Sequence, residues 1–160
     1  MERNKLVLLD AYALIFRAYY ALIRTPRYTS QKLNTSAIFG FVNTLQDLLK
    51  RENPSHIAIC FDPKGGTFRH EVYPEYKAGR EETPEDIRKA VPYIKRIAEA
   101  YNITVIEQPG FEADDVIGTL SVLARRRGFL TYMVTADKDF GQLVNDDVKI
   151  YKPHTGGYDI

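Results

Sequence analysis

Three short apolar runs in this chain each lead into an acidic residue, and that recurrence constrains the fold more than any other feature. Lys5-Leu6-Val7-Leu8-Leu9 runs into Asp10, and Ile57-Ala58-Ile59-Cys60-Phe61 runs into Asp62. Leu130 to Val134 runs into Thr135-Ala136-Asp137-Lys138-Asp139. Apolar runs of this length, without strict polar alternation, read as strands buried on both faces, the kind that parallel sheets contain. Helix-patterned stretches separate them. Ala11 to Leu22 is apolar and rich in aromatics. Ala37 to Lys50 is amphipathic, with Phe41, Leu45, Leu48 and Leu49 as core positions. A third helix opens with Thr83 at the N-cap, Pro84 at its first position and acids in its first turn, and runs to about Tyr101. A fourth spans about 112–127 and stops at Gly128. Ile103 to Ile106 and Val148 to Tyr151 read as further strands, with a turn at Thr155-Gly156-Gly157 and a last extended piece. Alternating strands and helices predict an α/β fold with a mostly parallel central sheet flanked by helices. At 160 residues the chain makes one domain.

In such a sheet, ligands bind beyond the carboxyl ends of the strands. Asp10, Asp62, Asp137 and Asp139 all fall there. Glu112-Ala113-Asp114-Asp115 opens the helix after the third strand, and Val116, Ile117, Leu120, Leu123 and Ala124 follow at helical spacing. Acids at a helix start are ordinary, since each gains roughly 0.3–1 kcal/mol from the helix dipole. Asp in a turn is ordinary too. Seven carboxylates at one sheet edge are not: they repel unless some are protonated or cations are held among them. An oxygen-only donor set points to Mg²⁺ or Mn²⁺ rather than zinc. Two such ions about 4 Å apart form a clamp for in-line attack on a phosphodiester.

The rest of the sequence narrows the field. His56, His70 and His154 share no metal-ligand spacing. Cys60 is the single cysteine, which excludes an internal disulfide, and its place inside an apolar run makes it a buried strand thiol. No apolar run approaches the ~20 residues that span a membrane, and the N-terminus does not read as a signal peptide. A cytoplasmic location is expected. The net charge of +1 hides an uneven distribution: acids at the strand ends, bases in 64–80 and in Arg125-Arg126-Arg127. Residues 63–83 are too long for an ordinary connector and carry Arg69, Lys77 and Arg80 among Phe68, Tyr73 and Tyr76. An acidic pocket with a basic surround suits a metal site facing a polyanion. Arg125 to Arg127 are most simply a solvated helix end.

Five motifs then stand together in order: Phe61-Asp62, Phe68-Arg69-His70-Glu71, Tyr76-Lys77-Ala78-Gly79-Arg80, Glu112-Ala113-Asp114-Asp115 and Thr135-Ala136-Asp137-Lys138-Asp139. In order and approximate spacing they resemble the 5′-nuclease (5′-3′ exonuclease) region of bacterial DNA polymerase I, within the flap endonuclease family and its PIN-like fold. The resemblance runs from Leu6 to the end. It implies that Asp10, Asp62, Glu112, Asp114 and Asp115 gather around one metal ion, and that Asp137 and Asp139 lie towards a second. It implies that Lys77 and Arg80 stabilise charge on the scissile phosphate, with Asp62 and Asp115 among the catalytic acids. Arg69 would contact phosphate and Tyr76 would stack on a terminal base. The implied substrate is DNA with 5′ ends or 5′ flaps, cut in primer removal and repair, with two Mg²⁺ (or Mn²⁺) ions as cofactor. The family usually has Gly after the first-strand Asp; here it is Ala11. The family's helix–hairpin–helix DNA-binding part and further acids lie beyond the point where this chain ends. The expectation is therefore a monomeric front portion, 1–160, of a longer polymerase chain. A PIN-type ribonuclease and a catalytically incomplete folding fragment are the alternatives. A receiver-type phosphorylation domain also gathers acids at a sheet edge but leaves Lys77 and Arg80 unexplained.

Overall fold

In the computed structural model, residues 3–64, 67–73, 75, 83–154 and 157–160 are described. The elements are β1 (Lys5–Asp10), α1 (Ala11–Ala21), α2 (Ser36–Glu52), β2 (His56–Phe61), α3 (Phe68–Val72), α4 (Glu85–Ala100), β3 (Thr104–Glu107), α5 (Ala113–Arg126), β4 (Leu130–Val134), a 3₁₀ helix (Lys138–Leu143), β5 (Val148–His154) and β6 (Gly157–Asp159). The strands form one sheet in the order β3-β2-β1-β4-β5-β6. Neighbours from β3 to β5 pair in parallel, and β6 closes the edge antiparallel to β5. This is the α/β architecture with a mostly parallel sheet and flanking helices that the sequence pattern predicts.

The order places the site. The chain builds outwards from β1 through β2 to β3, then returns to the other side of β1 for β4 and β5. The strand order reverses between β1 and β4, and a crevice opens there beyond the strand ends. Asp10 ends β1, and Thr135 follows β4.

Both faces of the sheet are covered, and the alternation of β1 shows how. Val7 and Leu9 pack with α1, α2 and α4 against Ile15, Phe41, Leu45, Ile87 and Ile94. Leu8 points the other way, to Cys60, Ile117, Met133 and Phe140 under α5. Adjacent strand residues face opposite sides, so a run apolar at every position needs helices on both. α1 and α2 meet closely: a Cβ at Gly40 would lie 2.6 Å from the Ala18 Cβ. Gly128, at φ +79°, ends α5 as predicted. The Gly128 N–H donates to the Arg125 carbonyl and the Phe129 N–H to the Ala124 carbonyl, both at 3.0 Å, the paired bonds of a Schellman turn.

Four details differ from expectation. Pro84, not Thr83, is the N-cap of α4: its backbone is extended, and its carbonyl accepts the first bonds, from the Ile87 and Arg88 N–H groups at 3.1 Å. Leu123 is 47% exposed, because the buried stripe of α5 runs through Ala113, Ile117, Ser121 and Ala124. Arg125 is not simply solvated: its Nε donates to Asp147 Oδ2 at 3.2 Å, and Arg3 pairs with the other oxygen of Asp147 at 2.8 Å. Residues 63–83, read as a long connector, hold the short helix α3. Ala11 in place of glycine is accommodated plainly, since it is fully buried and opens α1 without left-handed backbone.

Candidate metal centre

Each acid reaches the sheet edge by a different local device. Asp10 is the last residue of β1, and its Oδ2 accepts the Thr135 hydroxyl at 3.0 Å. Thr135 is fully buried, and its Oγ1 also accepts the Asp137 N–H at 3.1 Å. One hydroxyl therefore links the end of β1 to the turn after β4, holding the Asp10 carboxylate and the Asp137 backbone. Asp62, just past β2, accepts the Ala113 N–H at 2.8 Å, which satisfies an orphan donor at the start of α5. Glu112 is the N-cap of α5 and forms a capping box with Asp115; Asp115 Oδ2 accepts the Glu112 N–H at 2.9 Å. Asp137 caps the 3₁₀ helix by accepting the Asp139 N–H at 2.9 Å.

Two adjoining cavities result. Asp10, Asp62, Glu112, Asp114 and Asp137 line one of about 260 Å³, with Tyr12 and Phe140. Asp114, Asp115 and Asp139 line the other, of about 320 Å³, with Arg69. Asp114 faces both. One oxygen each from Glu112, Asp114 and Asp115 lies within 4.8 Å of the others. A third cavity, of about 790 Å³, continues from Asp62 between α1 and α4, where Tyr12 and Phe16 meet Lys64, Arg88 and Lys95.

The electrostatics follow from this crowding. Burial pushes the Asp10 carboxyl up from 3.8 to about 6; the Thr135 hydrogen bond works against that, and the charges of Asp62 and Asp114 add to it. Asp114 is also raised, by burial first and then by Glu112 and Asp115. Among the described residues, Arg69 is the cation that pairs with them. Its Nη1 donates to Asp115 Oδ2 at 2.7 Å and to Glu112 Oε2 at 3.2 Å, and its Nη2 donates to Asp115 Oδ1 at 2.8 Å. The Asp115 hydrogen bond, above all, holds the guanidinium in its charged form. Cys60, beside Asp10 in the sheet, is buried, and its thiol is pushed up to about 12 by burial and by Asp10. It is a neutral core group. The oxygen-only donor set, and the energetic cost of charging Asp10 among other acids, fit a hard divalent cation.

All seven predicted acids lie at this edge. Glu112, Asp114 and Asp115 stand together, while Asp137 lines the cavity of Asp10 and Asp62, and Asp139 lines that of Asp115. Tyr76, Lys77 and Arg80 lie outside the described residues. Thr135 is the participant that sequence reasoning did not single out. The signal was present: a hydroxyl at a strand end, two residues before a predicted site acid.

The fold is that of a structure-specific 5′ nuclease. A solved structure of the bacteriophage T5 flap endonuclease, a pseudo-enzyme–product complex with DNA and metal ions, matches with a TM-score of 0.71 at 21% identity, covering 97% of this chain and 57% of that one. The chain belongs to the family of the 5′-3′ exonuclease N-terminal, resolvase-like domain, whose model matches residues 5–159. It is 45% identical over 151 residues to DNA polymerase I of Mycobacterium tuberculosis, covering 94% of this chain and 17% of the polymerase. It is 38% identical over 160 residues to that of Bacillus subtilis, covering 99% and 18%. The chain thus spans under a fifth of the length of these relatives. Among the described residues no helix is long and apolar enough to cross a membrane.

Proposed function

We propose that this chain is the metal-dependent 5′-nuclease region of a bacterial, cytoplasmic DNA polymerase I and that it hydrolyses DNA phosphodiesters at 5′ ends and 5′ flaps. The observation that carries the reading is the convergence of carboxylates from separate strand ends on one crevice, with oxygen ligands only. Asp10, Asp62, Glu112 and Asp114 would hold one divalent ion, with Asp137 at its margin. Asp114, Asp115 and Asp139 would attend a second, and Mg²⁺ or Mn²⁺ suits both. Bound there, the ions would supply an activated water and stabilise the leaving oxygen.

The chain's own residues do the remaining work. Thr135 orients Asp10, the α5 backbone orients Asp62, and the capping box orients Glu112 and Asp115. The cavity between α1 and α4 joins aromatic faces to cations, which suits a nucleic-acid strand leading to the acids. Lys77 and Arg80 would neutralise the scissile phosphate and Tyr76 would stack on a base, as the family resemblance implies. The protein is proposed to be monomeric and joined to a polymerase domain.

The test is cleavage of a labelled 5′-flap duplex in Mg²⁺ by the wild type and by Asp114→Asn, with a single-stranded RNA alongside. Flap cutting that is lost in Asp114→Asn supports the reading. Cutting of RNA in preference to flap DNA would replace it with the PIN-type ribonuclease. Metal binding without turnover would leave a folding unit whose activity needs the rest of a longer chain.

A further inference from the structure

We propose that Arg69 is a positioning residue, which fixes the carboxylates of the acid cluster and ties α3 to them, and is not a contact to DNA phosphate. The inference rests on the nuclease reading and refines one role within it. A guanidinium matches a carboxylate as a two-pronged fork, and Arg69 makes that match with Asp115 at 2.7 and 2.8 Å while Nη1 also reaches Glu112. Asp115 Oδ2 takes a further bond from the Glu112 N–H at 2.9 Å. A carboxylate offers about four lone-pair sites, and the Arg69 fork and the Glu112 amide use most of those on Asp115. Asp115 is thereby held in one rotamer as the support of the α5 start, and Asp114 beside it is left facing both cavities.

Occupancy argues the same way: both terminal nitrogens of the guanidinium already donate to the Asp115 and Glu112 carboxylates. Its stem is fixed as well. The guanidinium lies 4.5 Å from the Phe68 ring centroid, Phe68 meets Phe111 at 5.5 Å, and the Phe68 N–H donates to the Gly110 carbonyl at 2.7 Å. These contacts tie α3 to the residues just ahead of α5. α3 leads in sequence to Tyr76, Lys77 and Arg80, so the fork links the acid cluster to the segment expected to hold the phosphate.

Arg69→Gln and Arg69→Lys, each checked for native circular dichroism, test this. Amide exchange is measured without DNA. In Arg69→Gln the Glu112 and Tyr73 amides should exchange about tenfold faster or more, as loss of charge-assisted hydrogen bonds predicts. Arg69→Lys, which keeps the charge but not the fork, should recover little of that. Binding to a 5′-flap duplex in Ca²⁺ over a KCl series should keep its salt slope, and in Mg²⁺ kcat should fall with KM unchanged. A phosphate contact predicts the reverse, a slope reduced by about 1 with exchange unaltered; either a reduced slope or unaltered exchange overturns the proposal. If the wild type neither binds nor cuts the flap duplex, the nuclease reading fails, and the exchange measurement still decides what Arg69 does.

Discussion

Asp10→Asn should stabilise this protein in the absence of divalent metal, and should do so only above acidic pH. The native carboxyl is pushed up from 3.8 to about 6, chiefly by burial. Between those values the folded chain holds a proton that the unfolded chain has released, so stability falls as pH rises through the window. Above it the full cost applies, roughly 3 kcal/mol at about 1.4 kcal/mol per pH unit of displacement. Asparagine keeps an oxygen to accept the Thr135 hydroxyl, now made at 3.0 Å, and removes the charge. Thermal unfolding in EDTA at pH 7.5 should therefore place the variant above the wild type by roughly 6–12 °C, given ~2–4 °C per kcal/mol for a domain of this size. Near pH 4 the difference should close. Adding Mg²⁺ at pH 7.5 should raise the wild type more than the variant, because ligand binding to the native state adds stability and the variant lacks a carboxylate of the proposed site. A variant less stable than the wild type at pH 7.5 in EDTA, or a difference that does not change between pH 4 and 7.5, would refute the account of Asp10 as a charge held at a cost.

Thr135→Val removes the hydroxyl that donates to Asp10 and accepts from the Asp137 N–H; urea unfolding should show a loss of about 1–3 kcal/mol, and Mn²⁺ titration should show weaker binding because Asp10 rises further. Gly40→Ala forces a methyl to 2.6 Å from the Ala18 Cβ, so α1 and α2 must separate, and chemical denaturation should record a loss of about 1–3 kcal/mol. Asp147 is held below the usual carboxylate range by hydrogen bonds from Arg3 and then Arg125. Its contribution is present above the unfolded value and lost as pH falls through the folded one, so Asp147→Asn should lower stability at neutral pH, with the difference fading in acid and shrinking in high salt.

What could be read from the sequence divides along a physical line between periodic and pairwise information. The strands and the long helices follow from local spacing: β1 and β4 appear at the predicted bounds, and Glu112 stands where the acidic helix begins. The sheet edge followed too, because parallel connectivity carries every strand's C-terminal end to the same side, so Asp10 and Asp62 had to approach one another whatever their side chains did. Spacing cannot report which donor each acid would find. Arg69 and Asp115 are 46 positions apart, and nothing in Phe68-Arg69-His70-Glu71 distinguishes an arginine aimed at phosphate from one forked onto a carboxylate. Leu123 failed for a related reason. An apolar residue at helical spacing sits on the buried stripe only if the helix rolls that way, and small residues, Ala113, Ser121 and Ala124, set the roll of α5 against the sheet. Within three positions of Glu112, the chain has already committed its carboxylates to two different partners: Asp115 to a guanidinium, Asp114 to the cavities. That choice depends on the tertiary placement of α3, and it leaves Asp114, the more exposed of the two adjacent acids, facing both cavities.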